Sequence, residues 1–175
     1  MRKIVLNDTN IIIDLMSVDI FRHLFRLPWE VHVTDMVLAE LKQADQSEMA
    51  EEAVGQGCIL VDTFSSKEVG EISERYEFIS QRTNLSPCDC SVWYASEKRG
   101  YTVLTGDKKL RTVVEESGIE VHGILYVLNA MVDASIIAPD EAIRILTKLQ
   151  SINCRLPKEK SNNCKTKWES LMVIV

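Results

Sequence analysis

Glycine and proline are scarce in this chain, seven and four among 175 residues, which excludes a low-complexity linker or a collagen-like repeat. Long apolar runs are missing as well. None approaches the roughly 20 residues needed to cross a bilayer, and the apolar stretch after Met1-Arg2-Lys3 is too short for a signal peptide. The cytoplasm is therefore the expected compartment, with no membrane as partner. A cysteine framework is absent too. Cys58, Cys88, Cys90, Cys154 and Cys164 are odd in number and irregular in spacing, so reduced thiols fit better than disulfides. Cys88 and Cys90 flank an aspartate, but a structural zinc site takes four ligands in recognisable pairs, and no second pair lies nearby.

A basic excess is also missing. The chain carries 20 Lys and Arg against 26 Asp and Glu, a net charge of −6. Nucleic-acid binders usually show a basic footprint, yet this argument concerns only the mean. Local basic groups stand at Arg22/Arg26, Lys98/Arg99 and Lys108/Lys109/Arg111, and a divalent cation held by acids reverses the local sign. Charge alone leaves the partner open.

What is present is an alternation of strand and helix signals in a chain long enough to bury a real core. Short β-branched runs predict strands at 3–7, 30–33, 57–62 and 102–105, with a weaker one at 119–121. Helices are expected between them. Thr34 can cap 35–44, Ser66 can open 67–82, and Ser86-Pro87 supplies a cap and an N1 proline for 87–99, closed by Gly100. Two more helices are expected at 122–133 and 139–150. This order implies an α/β fold of three layers, α/β/α, around a short and mainly parallel central sheet. Residues 1–150 are expected to form one domain, and 151–175 a polar, loosely packed tail with a short helix toward Val175.

The stretch LNDTNIIIDL, Leu6 to Leu15, interrupts apolar character with four polar residues. In a parallel α/β sheet, sites form outside the carboxyl ends of the strands, which is where Asp8 falls after strand 3–7. Asp107 follows strand 102–105 in the same way. Asp89 shares a helical stripe with Val92, Trp93 and Ser96, so its carboxylate leans toward the buried side, although Trp93 itself reads as core. Glu40 interrupts an apolar stripe with Met36 and Val37. Each acid has a structural alternative: Asp8 or Thr9 can cap a helix, Asp107 can cap the next, Ser86 and Asp89 have capping-box spacing, and Glu40 can be a solvated helix edge. Together, however, gathered carboxylates repel one another, and a hard divalent cation with oxygen ligands is the commonest reason to gather them.

These segments in order resemble the PIN-domain ribonucleases, in the subgroup found as toxins of bacterial and archaeal toxin–antitoxin pairs. The resemblance rests on Asp8-Thr9-Asn10 after the first strand, Glu40 in Val37-Leu38-Ala39-Glu40-Leu41, and Leu85-Ser86-Pro87-Cys88-Asp89 opening a helix. It continues in Leu104-Thr105-Gly106-Asp107-Lys108-Lys109-Leu110-Arg111, the helix after Gly123 and the late Arg155-Leu156-Pro157. The two cysteines beside Asp89 depart from the small or apolar residues expected there.

The resemblance implies an endoribonuclease in which Asp8, Glu40, Asp89 and Asp107 hold Mg2+ or Mn2+ and a metal-acidified water attacks the phosphate in line. Asn10 and Thr105 would orient carboxylates or water, and Lys108, Lys109 and Arg111 could contact RNA phosphates. It further implies a cognate antitoxin and a homodimer as partners. Two other readings stay open. One is a PIN-like binding or regulatory module with little catalysis. The other is a haloacid-dehalogenase-like phosphatase, whose motif needs a second Asp where this chain has Asn10.

Overall fold

The computed structural model describes residues 3–152 and 156–172; Cys154 and Arg155 lie outside them. Five strands form one sheet: β1 (Lys3–Asn7), β2 (Trp29–Thr34), β3 (Leu60–Asp62), β4 (Thr102–Leu104) and β5 (Val121–His122). Their order is β3-β2-β1-β4-β5, and all four pairings are parallel. Nine helices connect and flank them among the described residues: α1 (Thr9–Ser17), α2 (Asp35–Glu40), α3 (Ala44–Gly55), α4 (Ser66–Ser80), α5 (Pro87–Arg99), α6 (Lys108–Glu116), α7 (Ile124–Asp133), α8 (Pro139–Ile152) and α9 (Lys158–Met172). A 3-10 helix spans Phe21–Arg26. The result is the expected three-layer α/β/α arrangement around a parallel sheet.

The sheet is apolar on both faces, as a sheet covered twice must be. Val5, Leu6, Val33, Val103 and Leu104 are fully buried. Helix α5 packs against β1, β2 and β4 and lies beside α4 and α6, while α1 contacts the 3-10 helix and α7. Ser86 caps α5 with a reciprocal capping box to Asp89, and Pro87 occupies its first turn. Gly100 ends it in the left-handed conformation, φ 72°, where a side chain would be strained.

Several boundaries differ from the sequence expectation. The helix expected at 35–44 stops at Glu40, because Leu41 leaves helical geometry and is itself buried. A separate helix, α3, follows; its buried stripe consists only of Ala50 and Ala53, too weak a pattern to read. The strand expected at 57–62 begins at Leu60, and the one expected at 119–121 is Val121–His122, so α7 starts later than 122. The cap of α4 is Ser65, paired with Glu68, rather than Ser66. Within the tail, residues 158–172 are one helix packed on α7 and α8, not a loose end, and Trp168 is fully buried with its Nε1 donating to Asn129 Oδ1 at 3.0 Å. Residues 173–175 lie outside the described residues.

Candidate active site

The strand order determines where a site can form. From β1 the sheet runs through β2 to β3 in one direction and through β4 to β5 in the other. The winding therefore reverses between β1 and β4, and the crevice outside the carboxyl ends at such a switch point is where α/β sheets bind ligands. Asp8 and Asp107 both sit there, one after each strand.

Asp8 extends the pairing of β1: its N–H donates to the Leu104 carbonyl at 3.0 Å. It stands at the N-cap position of α1, but its side chain makes no capping hydrogen bond. Its Oδ2 accepts instead from Thr105 Oγ1 at 2.7 Å and from Asn10 Nδ2 at 3.1 Å. Thr105, wholly buried, also accepts the Asp107 N–H at 2.9 Å. One hydroxyl thus ties the Asp8 carboxylate to the Asp107 backbone.

Asp107 does cap α6, accepting from the N–H groups of Lys109 at 2.7 Å and Leu110 at 3.0 Å. Both bonds fall on Oδ1, and among the described residues no hydrogen bond falls on Oδ2. Capping leaves this acid able to serve a site as well. Asp89 likewise has a structural bond, accepting the Ser86 N–H on Oδ2 at 2.7 Å. Glu40 ends α2 with an exposed carboxylate whose Oε2 accepts from Thr9 Oγ1 at 2.8 Å. Buried Thr34 fixes α2 against α5, since its Oγ1 caps α2 at Val37 and meets Ser91 Oγ at 2.9 Å.

The acids also act on one another's ionisation. Burial pushes the Asp8 carboxyl up from 3.8 to about 6; the bonds from Thr105 and Asn10 pull it down, and the Asp89 charge pushes it further up. Burial also raises Asp89, opposed by its Ser86 bonds and reinforced by the charges of Asp107 and Glu40. Asp89 is therefore in electrostatic reach of Asp8, Asp107 and Glu40. Cys88 sits among them: burial, then the charges of Glu40 and Asp8, push its thiol up, so it stays protonated. Cys90 is pushed up to about 11 by burial and by Asp89.

Among the described residues, no three His, Cys, Asp or Glu side chains converge closely enough to enclose a metal ion as they stand. The donor set nonetheless fits a hard divalent cation. The donors are all carboxylate oxygens, and Mg2+ keeps several waters, so a few carboxylates suffice. A cation would also offset the desolvation cost and the mutual repulsion at Asp8 and Asp89.

A family model described as a PIN domain matches residues 4–170, a span that includes all four acids. The chain belongs to the PIN-domain family. This is a nuclease-type fold, and hydrolysis is the general chemistry it supports. No curated protein matches the sequence.

In this PIN domain the basic residues of α6 divide. Lys108 and Lys109 are exposed and, among the described residues, form no ion pair. Arg111 is engaged as a brace. Its guanidinium donates to the carbonyls of Val121 and Thr105, each at 3.1 Å, and pairs with Glu115 at 3.2 Å. It runs so close to Gly123 that a Cβ there would meet it at 3.3 Å. Arg111 is thus tied to the turn that carries Thr105.

Trp93, expected in the core, is only half-buried, with the Arg75 guanidinium 4.1 Å from its ring centroid and its Nε1 on Ser117 Oγ. Sequence reasoning also missed Thr9 and Ser91. Thr9 had a signal, standing beside Asp8, but Ser91 had none, because its partner Thr34 lies far away in sequence and meets it only in the fold.

Proposed function

We propose that this PIN domain is a Mg2+- or Mn2+-dependent endoribonuclease that hydrolyses RNA phosphodiester bonds. The observation that carries the reading is Asp8, a carboxylate only 2% exposed, set at the switch point of the sheet and held in the field of Asp89. A buried acid that pairs with no cationic side chain among the described residues needs a reason, and a divalent ion is the simplest one.

Asp8, Asp89 and Asp107 would hold the cation, with Glu40 completing or sharing the set. When bound, the ion offsets charge at the phosphate and acidifies water for attack. Asn10 and Thr105 both bond Asp8 Oδ2 and so fix the rotation of that carboxylate. Thr9 does the same for Glu40. Lys108 and Lys109 are the cations placed to meet flanking phosphates.

The test is cleavage of single-stranded RNA titrated with Mg2+ and Mn2+. Asp8→Asn and Asp107→Asn are expected to abolish it while leaving the circular dichroism spectrum unchanged. Normal cleavage by both variants rules the carboxylate assignment out.

We further place the chain, by its likeness to the toxin subgroup, as the toxin of a toxin–antitoxin pair, acting in the cytoplasm as a homodimer and silenced by a cognate antitoxin. Expression is then expected to arrest growth, and the Asp8→Asn variant to relieve the arrest. Unimpaired growth with an RNA-cleaving wild type rejects the toxin role and leaves the nuclease standing.

A further inference from the structure

Outside the acid cluster, three aromatic rings lie nearly parallel across one face of the sheet. Tyr126, in the first turn of α7, stacks on His122 of β5 with ring centroids 3.7 Å apart and planes 7° apart. It also stacks on Trp29 of β2 at 5.6 Å and 13°. The first spacing is that of stacked bases. Lys3 reaches the same group, donating to Tyr126 Oη at 2.9 Å with its ammonium 4.9 Å from the ring centroid.

Trp29 and Tyr126 pack at the edge of the core, whereas Trp168 and Phe21 inside it are 0% and 2% exposed. Trp29, His122 and Tyr126 all remain partly exposed. Glu120 beside them is bound by Lys3, His122 and Thr102, so its repulsion toward a phosphate is offset. The column also begins next to the candidate site, because the His122 carbonyl accepts the N–H of Thr105, the residue whose hydroxyl holds Asp8.

We infer that Trp29, Tyr126 and His122, with Lys3, form a stacking platform for unpaired bases of the RNA strand that enters the acid cluster. Aromatic stacking is tolerant of base identity, since every base offers a π-face. The platform would therefore favour single-stranded over paired RNA without reading sequence. The inference rests on RNA being the substrate.

Two measurements on the metal-free full chain test it. In the first, a thiouridine-substituted oligouridylate is photocrosslinked to the unmodified protein in EDTA, and the crosslinked peptides are mapped. Crosslinks to the peptides holding Trp29 or His122 and Tyr126 are expected; crosslinks confined to other surfaces overturn the platform. In the second, binding of a labelled oligouridylate is followed by fluorescence anisotropy. The double variant His122→Ala/Tyr126→Leu is expected to bind about tenfold more weakly, whereas His122→Phe, which keeps a ring, retains affinity. Unchanged affinity in the folded double variant overturns the platform while leaving the nuclease reading intact. An unmodified protein that neither binds nor cleaves RNA removes both.

Discussion

At Asp8, burial and charge pull against each other. A carboxylate whose pKa is raised from 3.8 to about 6 favours its neutral form in the folded chain, so keeping it ionised at neutral pH costs on the order of 3 kcal/mol. The hydrogen bonds from Thr105 and Asn10 are already included in that balance, so they do not cancel the cost. Replacing the charge by an amide of the same shape should then stabilise the metal-free protein. Asp8→Asn is expected to raise the thermal midpoint without metal, and a further rise with Mn2+ is expected in the wild type but not in the variant. Differential scanning fluorimetry with and without Mn2+ checks both halves. An Asp8→Asn variant that melts well below the wild type would mean that the carboxylate serves the fold.

Among the elements, α2 and α5 carry the acids that come from helices, and a buried hydroxyl pair joins the two. Thr34 Oγ1 closes the first turn of α2 and meets Ser91 Oγ of α5. Thr34→Val keeps the volume but removes the cap and leaves Ser91 Oγ with one partner fewer. The expected loss is about 1–2 kcal/mol of unfolding free energy, read by urea titration. Because Glu40 rides on α2, metal-dependent cleavage should fall by more than the stability loss explains. The boundary of α2 was not legible in the sequence. Apolar spacing continues through Leu41, and only the packing of Leu41 into the core ends the helix there. The capping box of α5 was legible, since Ser86-Pro87-Cys88-Asp89 carries both of its halves within one turn.

For the whole molecule, two features join parts distant in sequence. Trp168 closes the C-terminal helix over Asn129 of α7. Trp168→Ala should cost about 3–5 kcal/mol by urea unfolding, whereas a loosely docked tail would cost almost nothing. The second feature is His32, nearly buried between Asp62 of β3 at 3.2 Å and Glu30 at 2.9 Å, with Tyr101 against its ring and Arg99 of α5 paired to the same Asp62. Burial opposes its charge, but the bonds to Asp62 and Glu30 outweigh that and hold its pKa above 6.5. The protonated ring is therefore favoured by folding. Its contribution is full below pH 6.5 and is lost as pH rises through the folded-state value. Urea unfolding across this window should show stability falling with pH in the wild type, with a smaller slope in His32→Gln. Equal slopes would remove His32 as the source.

The sequence by itself determined the layered α/β plan, the strands that feed the sheet and the positions of Asp8 and Asp107 just past two of them. Those features follow from local signals: β-branched runs, helix caps and acids placed at strand ends. The tertiary structure alone decided that Asp8 is buried with its carboxylate on Thr105 and Asn10, that Asp107 caps α6 through Oδ1, and that Arg111 is a brace. It also decided that Thr34 meets Ser91 and that the polar tail folds back as a helix around Trp168. The physical reason is the same in each case. Burial and hydrogen-bond partnership depend on which distant segments come together, and no spacing along the chain carries that information.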